Sequence, residues 1–260
     1  MPNRLGTWLR TGSTPESGLS PIARWNFDIS GTSIVDTVAG VIGSPILSTR
    51  FFFNEGKYDS GLRFSGLSNF AGFDMANTHP EFNFSSGTSF SLSAWIRLGS
   101  GENPNAIDTA QVGIITKGVG GQNSTYGLDI QSGTYGQVRF GTRSGGAVYG
   151  IRMPLPSGPN DWNHVVGRYT AVSPFPLQIF LNGSIGSIQN LNGSSFNDAA
   201  LGSLSIGPWQ RLAGNAYSGI MLDIDDVMIF DRALNFYEIQ QIYSGGRTPN
   251  YNIQYSGGFP

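Results

Sequence analysis

The densest group of side chains able to do acid–base chemistry is Asp223-Ile224-Asp225-Asp226, and with Asp231 it places four aspartates between positions 223 and 231. In an extended strand alternate side chains share a face, so the Asp223 and Asp225 carboxyls stand side by side. Retaining cleavage of a glycosidic bond needs two carboxyl groups about 5–5.5 Å apart. This pair is the nearest approach to that arrangement, and a third carboxyl on the same face is lacking. The five glutamates, Glu16, Glu55, Glu81, Glu102 and Glu238, all fall outside segments that read as central strands. His164 sits in the strand-like run DWNHVVGRY and reads as a satisfied histidine in or near a core, while His79 lies in an Asn-Thr-His-Pro turn without a legible partner. No Gly-x-Ser-x-Gly elbow, phosphate-binding loop or His-Glu-x-x-His motif is present. The chain has no cysteine, which excludes disulfides, zinc–thiolate sites and cysteine nucleophiles. The expectation is a protein that is not an enzyme.

A second chemistry is stacking on a ring combined with planar hydrogen bonding. Trp209-Gln210-Arg211 occupies a loop before the acidic strand, with Tyr217 in the same loop. Tyr126 opens one strand, Tyr149 ends a Gly-rich hairpin, and Arg139 and Arg143 alternate with Val138 and Phe140. Such a set stacks on sugar rings and hydrogen-bonds hydroxyls. The competing reading is that the loop tryptophan covers the open end of a core.

The elements that must hold these residues are short strands. Ala23–Ile29, Gly61–Phe64, Ser89–Leu98, Val112–Lys117, Tyr126–Gln131, Gln137–Thr142, Trp162–Thr170, Leu177–Leu181 and Leu204–Ile206 carry strand patterns, and Asn182-Gly183 is a hairpin signal. In the acidic strand Leu222, Ile224, Met228 and Phe230 are expected on one face, with Val227 and Ile229 on the other. Asp231 is expected to cap a following helix, in which Leu234, Ile239, Ile242 and Tyr243 recur at helical spacing before Ser244-Gly245-Gly246.

Several of these pieces, in order, resemble laminin-G-like jelly rolls of the concanavalin A-like lectin/glucanase superfamily. They are Trp25-Asn26-Phe27-Asp28, Gly56-Lys57-Tyr58 with Gly61-Leu62-Arg63-Phe64, Phe90 to Ile96, Ile115-Thr116-Lys117-Gly118, Trp162 to Val166, Ile179 to Gly183, and the closing strand and helix. The resemblance covers roughly residues 22–245. It implies an all-β, two-sheet antiparallel jelly-roll sandwich with one short C-terminal helix. It also implies packing roles for Trp25, Trp95 and Trp162. Relatives on this fold hydrolyse glycans or bind them, and others hold one structural Ca²⁺ at the sandwich edge, for which Asp28, Asp225 and Asp226 are the matching positions. The alternative for Asp225 is a carboxylate that accepts backbone hydrogen bonds without a metal.

Composition limits the remaining choices. The net charge of −2 gives no electrostatic footprint for nucleic acid or an anionic membrane, and no stretch is apolar enough for a transmembrane helix. No secretory signal is legible. Residues 1–21 read as an N-terminal arm, 22–246 as the jelly-roll domain and 247–260 as a C-terminal arm. Arms of this kind, joined to a lectin-like body rich in Gly, Ser and Asn, suggest by analogy a bacteriophage virion protein. It would assemble in the host cytoplasm as a homo-oligomer, with the arms holding neighbouring virion subunits and the outward domain touching host glycan. A free carbohydrate-binding module and a glycoside hydrolase are the alternatives.

Overall fold

The computed structural model describes residues 19–28, 31–46, 51–64, 72–76, 78–85, 87–99, 112–118, 124–131, 136–144, 147–156, 160–174, 176–191, 202–208 and 221–245. Their strands are β1 (Ala23–Trp25), β2 (Ile34–Val35), β3 (Ile42–Pro45), β4 (Phe51–Glu55), β5 (Ser60–Phe64), β6 (Phe73–Asp74), β7 (Phe90–Leu98) and β8 (Val112–Gly118). They continue as β9 (Ser124–Gln131), β10 (Gln137–Ser144), β11 (Ala147–Pro154), β12 (Asn163–Tyr169), β13 (Pro176–Leu181), β14 (Ser184–Asn190), β15 (Leu204–Ile206) and β16 (Leu222–Phe230). One α-helix, α1 (Phe236–Tyr243), follows. The first sheet has the order β14-β13-β12-β7-β16-β5-β4, with β1 also paired to β16. The second has the order β11-β10-β9-β8-β15-β6-β3-β2. Every pairing is antiparallel, giving the jelly-roll sandwich expected from the sequence.

The inner faces meet in one core. From β7 come Phe90, Leu92, Ala94 and Ile96, and from the second sheet Tyr126, Leu128, Ile130, Val138 and Phe140. The first sheet is apolar on its outer face as well. Val166, Phe180, Met228 and Phe230 pack there under Leu234, Ile239 and Ile242, with Leu19 against the same cluster. Arg168 pins the approach to α1: it donates to Leu234 O at 2.5 Å and to the Gln178 side chain, with its guanidinium 4.8 Å from the centre of the Phe180 ring.

Three sequence expectations change in the structure. In β16 the register slips between Asp225 and Met228, and Asp226 takes a left-handed φ of 46°. The slip exchanges the two faces, so Leu222, Ile224, Val227 and Ile229 point inward while Met228 and Phe230 point outward under α1. Asp231 does not cap the helix. Asn235 does, with its side chain accepting from Glu238 N and Glu238 answering the Asn235 N–H, a reciprocal capping box. β1 stops at Trp25 rather than running to Ile29, because Phe27 turns left-handed at φ 56°. The Asn182-Gly183 hairpin is present, with φ of 50° and 76°, the two positive values its turn requires.

Candidate functional site

The aspartates of β16 face outward on the first sheet. Asp223 is 2% exposed and is gripped by two arginines. Arg63 donates Nε to Oδ1 at 2.5 Å and Nη2 to Oδ2 at 2.7 Å, and Arg97 donates Nε to Oδ2 at 2.7 Å. Asp225 is buried and accepts from Tyr58 N on Oδ2 at 2.9 Å and from Asp226 N on Oδ1 at 2.7 Å. Burial pushes its carboxyl up to about 7, against the pull of those backbone N–H groups. Asp226 accepts from Arg24 Nε at 2.7 Å. Asp28 is exposed and accepts from Ser60 N at 3.3 Å and from the Asn26 side chain at 2.6 Å.

These contacts decide the fit of a calcium ion. Ca²⁺ needs six to eight oxygens turned toward one point. Both oxygens of Asp225 and both of Asp28 are taken by N–H donors, and Asp226 is taken by a guanidinium. No group of three or more acidic or histidine side chains among the described residues is placed to hold a metal. The set Asp28, Asp225, Asp226 therefore does not fit the ion. It holds the loop 56–59 against the sheet instead. A side chain at Gly56 would put its Cβ 2.7 Å from Asp225 Oδ2, which accounts for the glycine.

That loop closes an aromatic stack. The Tyr58 ring meets Trp95 edge-on at 6.0 Å, Tyr243 of α1 stacks on Trp95 at 5.6 Å, and Lys57 Nζ lies 4.3 Å from the Trp95 ring centre. His164 is buried beneath, with Nε2 2.9 Å from Ser93 Oγ. Desolvation, with Lys57 adding to it, lowers its pKa to about 3, so it is neutral and packs as an aromatic ring. His79 is 3.0 Å from Glu81 in an exposed turn.

The outer face of the second sheet carries a different pattern. Three strands repeat an inward aromatic followed by an outward glycine: Tyr126-Gly127, Phe140-Gly141 and Tyr149-Gly150. In register, Thr116, Gly127, Gly141 and Gly150 form one row across β8 to β11, which runs on through Ser205, Asp74 and Ser44. The row is buried from Ser205 to Gly141 and opens at Gly150. Ser205 Oγ is buried without a hydrogen-bond partner among the described residues. The neighbouring row is Gly113, Asp129, Arg139 and Arg152. Arg139 forks onto Asp129, with Nη2 at 2.6 Å from Oδ2 and Nε at 3.1 Å from both oxygens. Burial pushes the Asp129 carboxyl up, and Arg139 and Arg152 draw it back. Arg152 itself is exposed.

The expected ligand-binding residues therefore separate. Arg139 lies on this outer face. Tyr126 does not: it is fully buried and donates its hydroxyl to Phe82 O at 2.9 Å. The alternation of β9 sends Tyr126 inward with Leu128 and Ile130, so it has no face to offer a ligand. Tyr149 also turns inward and packs partly buried on the core. Trp209, Arg211, Tyr217 and the side chain of Arg143 lie outside the described residues. Gly207, after β15, donates its N–H to Ile114 O at 2.9 Å. Asp129, Arg152 and the glycine row are missed by motif reading, although the repeated aromatic–glycine pair is legible.

The comparisons with known proteins agree with this architecture. A laminin G family profile (Laminin_G_3), described as concanavalin A-like lectin/glucanases superfamily, matches residues 70–240, and the chain belongs to that family. Among solved structures, the binding domain of Paraclostridial Mosquitocidal Protein 1 is similar with a TM-score of 0.66 at 15% identity over 86% of this chain. The botulinum neurotoxin serotype G binding domain is similar with a TM-score of 0.65 at 14% identity, also over 86%. A botulinum neurotoxin type C structure, whose cell entry depends on interaction with two ganglioside molecules, aligns with a TM-score of 0.62 at 17% identity over 88%. This chain spans about half the length of those chains, 51% to 52%. No curated protein sequence matches.

Proposed function

We propose that this protein is a non-enzymatic, lectin-like binding domain that takes a glycan on the outer face of its second sheet. The observation that carries the reading is the glycine row beside Asp129, Arg139 and Arg152. The row opens at exposed Gly150, where the lack of a side chain lets a ligand approach the backbone closely, while Gly127 and Gly141 are buried behind it. The adjoining fork of Arg139 on Asp129 holds planar donors rigidly, and exposed Arg152 adds a donor at the open end. Rigid polar groups around an approachable floor suit hydroxyl-rich ligands. The ganglioside dependence of the type C neurotoxin supports the ligand class.

Asp223 and Asp225 offer a hydrolase little. One is neutralised by two guanidiniums and the other is turned onto backbone N–H groups. The virion setting, with arms holding neighbouring subunits in a homo-oligomer, rests on composition and on the arms. The similar folds reported above are binding domains of toxins or related proteins, so the outward binding face is the part of that setting they support.

The test is a glycan array probed with the intact chain. Binding to a defined glycan is expected, reduced at least tenfold by Arg152→Ala. An alanine at exposed Gly150 would place its Cβ 3.3 Å from the flexible stem of Arg139, so Gly150→Ala should fold normally and weaken binding by obstructing the open end of the row. A silent array, or binding indifferent to both variants, contradicts the reading.

A further inference from the structure

The outer face of the first sheet carries a second row that the glycan reading does not use. In register across four strands stand Phe52, Arg63, Asp223 and Arg97, with Trp162, the residue before β12, beside Arg97. Phe51 and Phe53 pack on the core, which sends Phe52 outward at 45% exposure. The Arg97 guanidinium lies 4.7 Å from the centre of the Trp162 ring. With neighbouring strands about 4.8 Å apart, the two flanking aromatics bracket a strip roughly 19 Å wide.

The charges on this strip are unequal. Asp223 is one carboxylate between two guanidiniums and accepts side-chain hydrogen bonds from both arginines. Arg63 spends Nε and Nη2 on Asp223. Arg97 spends Nε on Asp223 and Nη2 on the Glu55 carbonyl at 3.2 Å. Among the described residues neither Nη1 has a partner. Both side chains retain solvent contact, at 23% and 15% exposure. The two remaining donors are therefore fixed in place by the buried carboxylate and surplus in positive charge, beside an exposed ring. Donors alone recognise acceptors, and fixed cationic donors favour anionic ones. The Glu55 carboxylate lies within electrostatic reach of Arg63 and opposes an anion there.

We infer that this row is a second binding site, for an anionic sugar residue whose carboxylate or sulfate sits on the Nη1 groups of Arg63 and Arg97 while its ring packs on Phe52. The site is independent of the glycine row, lying on the opposite sheet. Asp223 is the positioning residue that holds the fork.

The test is titration of the intact chain with a short oligogalacturonate, its methyl ester and a sulfated galactan oligosaccharide of similar length. At least one anionic probe should bind, at least tenfold tighter than the uncharged ester, and weaken as salt rises. Phe52→Ala is a surface change, so its thermal unfolding should match the parent while anion binding falls at least tenfold. Glu55→Gln should tighten binding several-fold, and Arg152→Ala should leave it unchanged. Carboxylate binding without sulfate binding, or the reverse, identifies the group. Equal binding of acid and ester, no binding of either anion, or binding that survives Phe52→Ala overturns the inference. Loss in Arg152→Ala with retention in Phe52→Ala would assign the anion to the second sheet instead.

Discussion

Asp225 gives the residue scale its clearest prediction. Burial raises its carboxyl to about 7, with Asp226 adding to the shift and the N–H groups of Tyr58 and Asp226 opposing it. Asp28, Arg24 and Lys57 are the other charges gathered around this loop. A folded pKa above the unfolded value of about 3.9 means the native state holds the extra proton. The stability contributed by that proton is fully present below about pH 4 and is lost progressively as pH rises, with nothing remaining above about 7. The slope is at most about 1.4 kcal/mol per pH unit. Urea unfolding of the parent and of Asp225→Asn across pH 4 to 8 should show the parent's stability falling relative to the variant's up to pH 7 and flat beyond. A difference independent of pH would refute the shifted ionisation. The acidic cluster was legible in the sequence, and so was the reading of Asp225 as a hydrogen-bonded carboxylate. The partners were not, because Tyr58, which donates to Asp225, and Arg24, which donates to Asp226, lie 167 and 202 residues away along the chain.

At the scale of elements, the closing strand and helix show what periodicity misses. Apolar spacing located β16 and α1, yet one bulged residue at Asp226 exchanged the faces, and periodicity carries no sign of such a slip. The cap moved from Asp231 to Asn235 because the capping box needs a glutamate three residues on, and Glu238 serves Asn235. Asn235→Ala should cost about 1 kcal/mol in urea unfolding, and Asn235→Asp should restore most of it. Gly183 ties the β13–β14 hairpin to the helix: its φ is 76°, and a Cβ there would lie 2.8 Å from the Tyr243 ring. Gly183→Ala should therefore lose on the order of 1–3 kcal/mol, a loss partly recovered when Tyr243→Ala removes the clash. β11 was not read as a strand, while strands β8 to β10 were legible as a meander. The choice of which residues face outward on it decides the site, and simple alternation from Tyr126 inward gives the glycine row.

At the scale of the whole molecule, α1 and the 56–59 loop cover part of the first sheet's outer face, so the helix is part of the sandwich rather than an appendage. Leu234→Ala should cost about 2–5 kcal/mol, comparable to an inner-core truncation, and this is measurable by thermal unfolding. The fold was legible because seven short pieces occur in a fixed order. The binding face was legible only in Arg139, since a row across a sheet is assembled from residues of several strands and register is absent from a linear reading. Of the two outer faces, that of the second sheet carries the central claim. The most direct measurement is the affinity of the intact chain for a glycan selected on an array, with Arg152→Ala and Gly150→Ala measured alongside. Binding reduced at least tenfold by Arg152→Ala, with unfolding temperatures unchanged, is the predicted result. Failure to bind any glycan, or equal binding by parent and both variants, would contradict it.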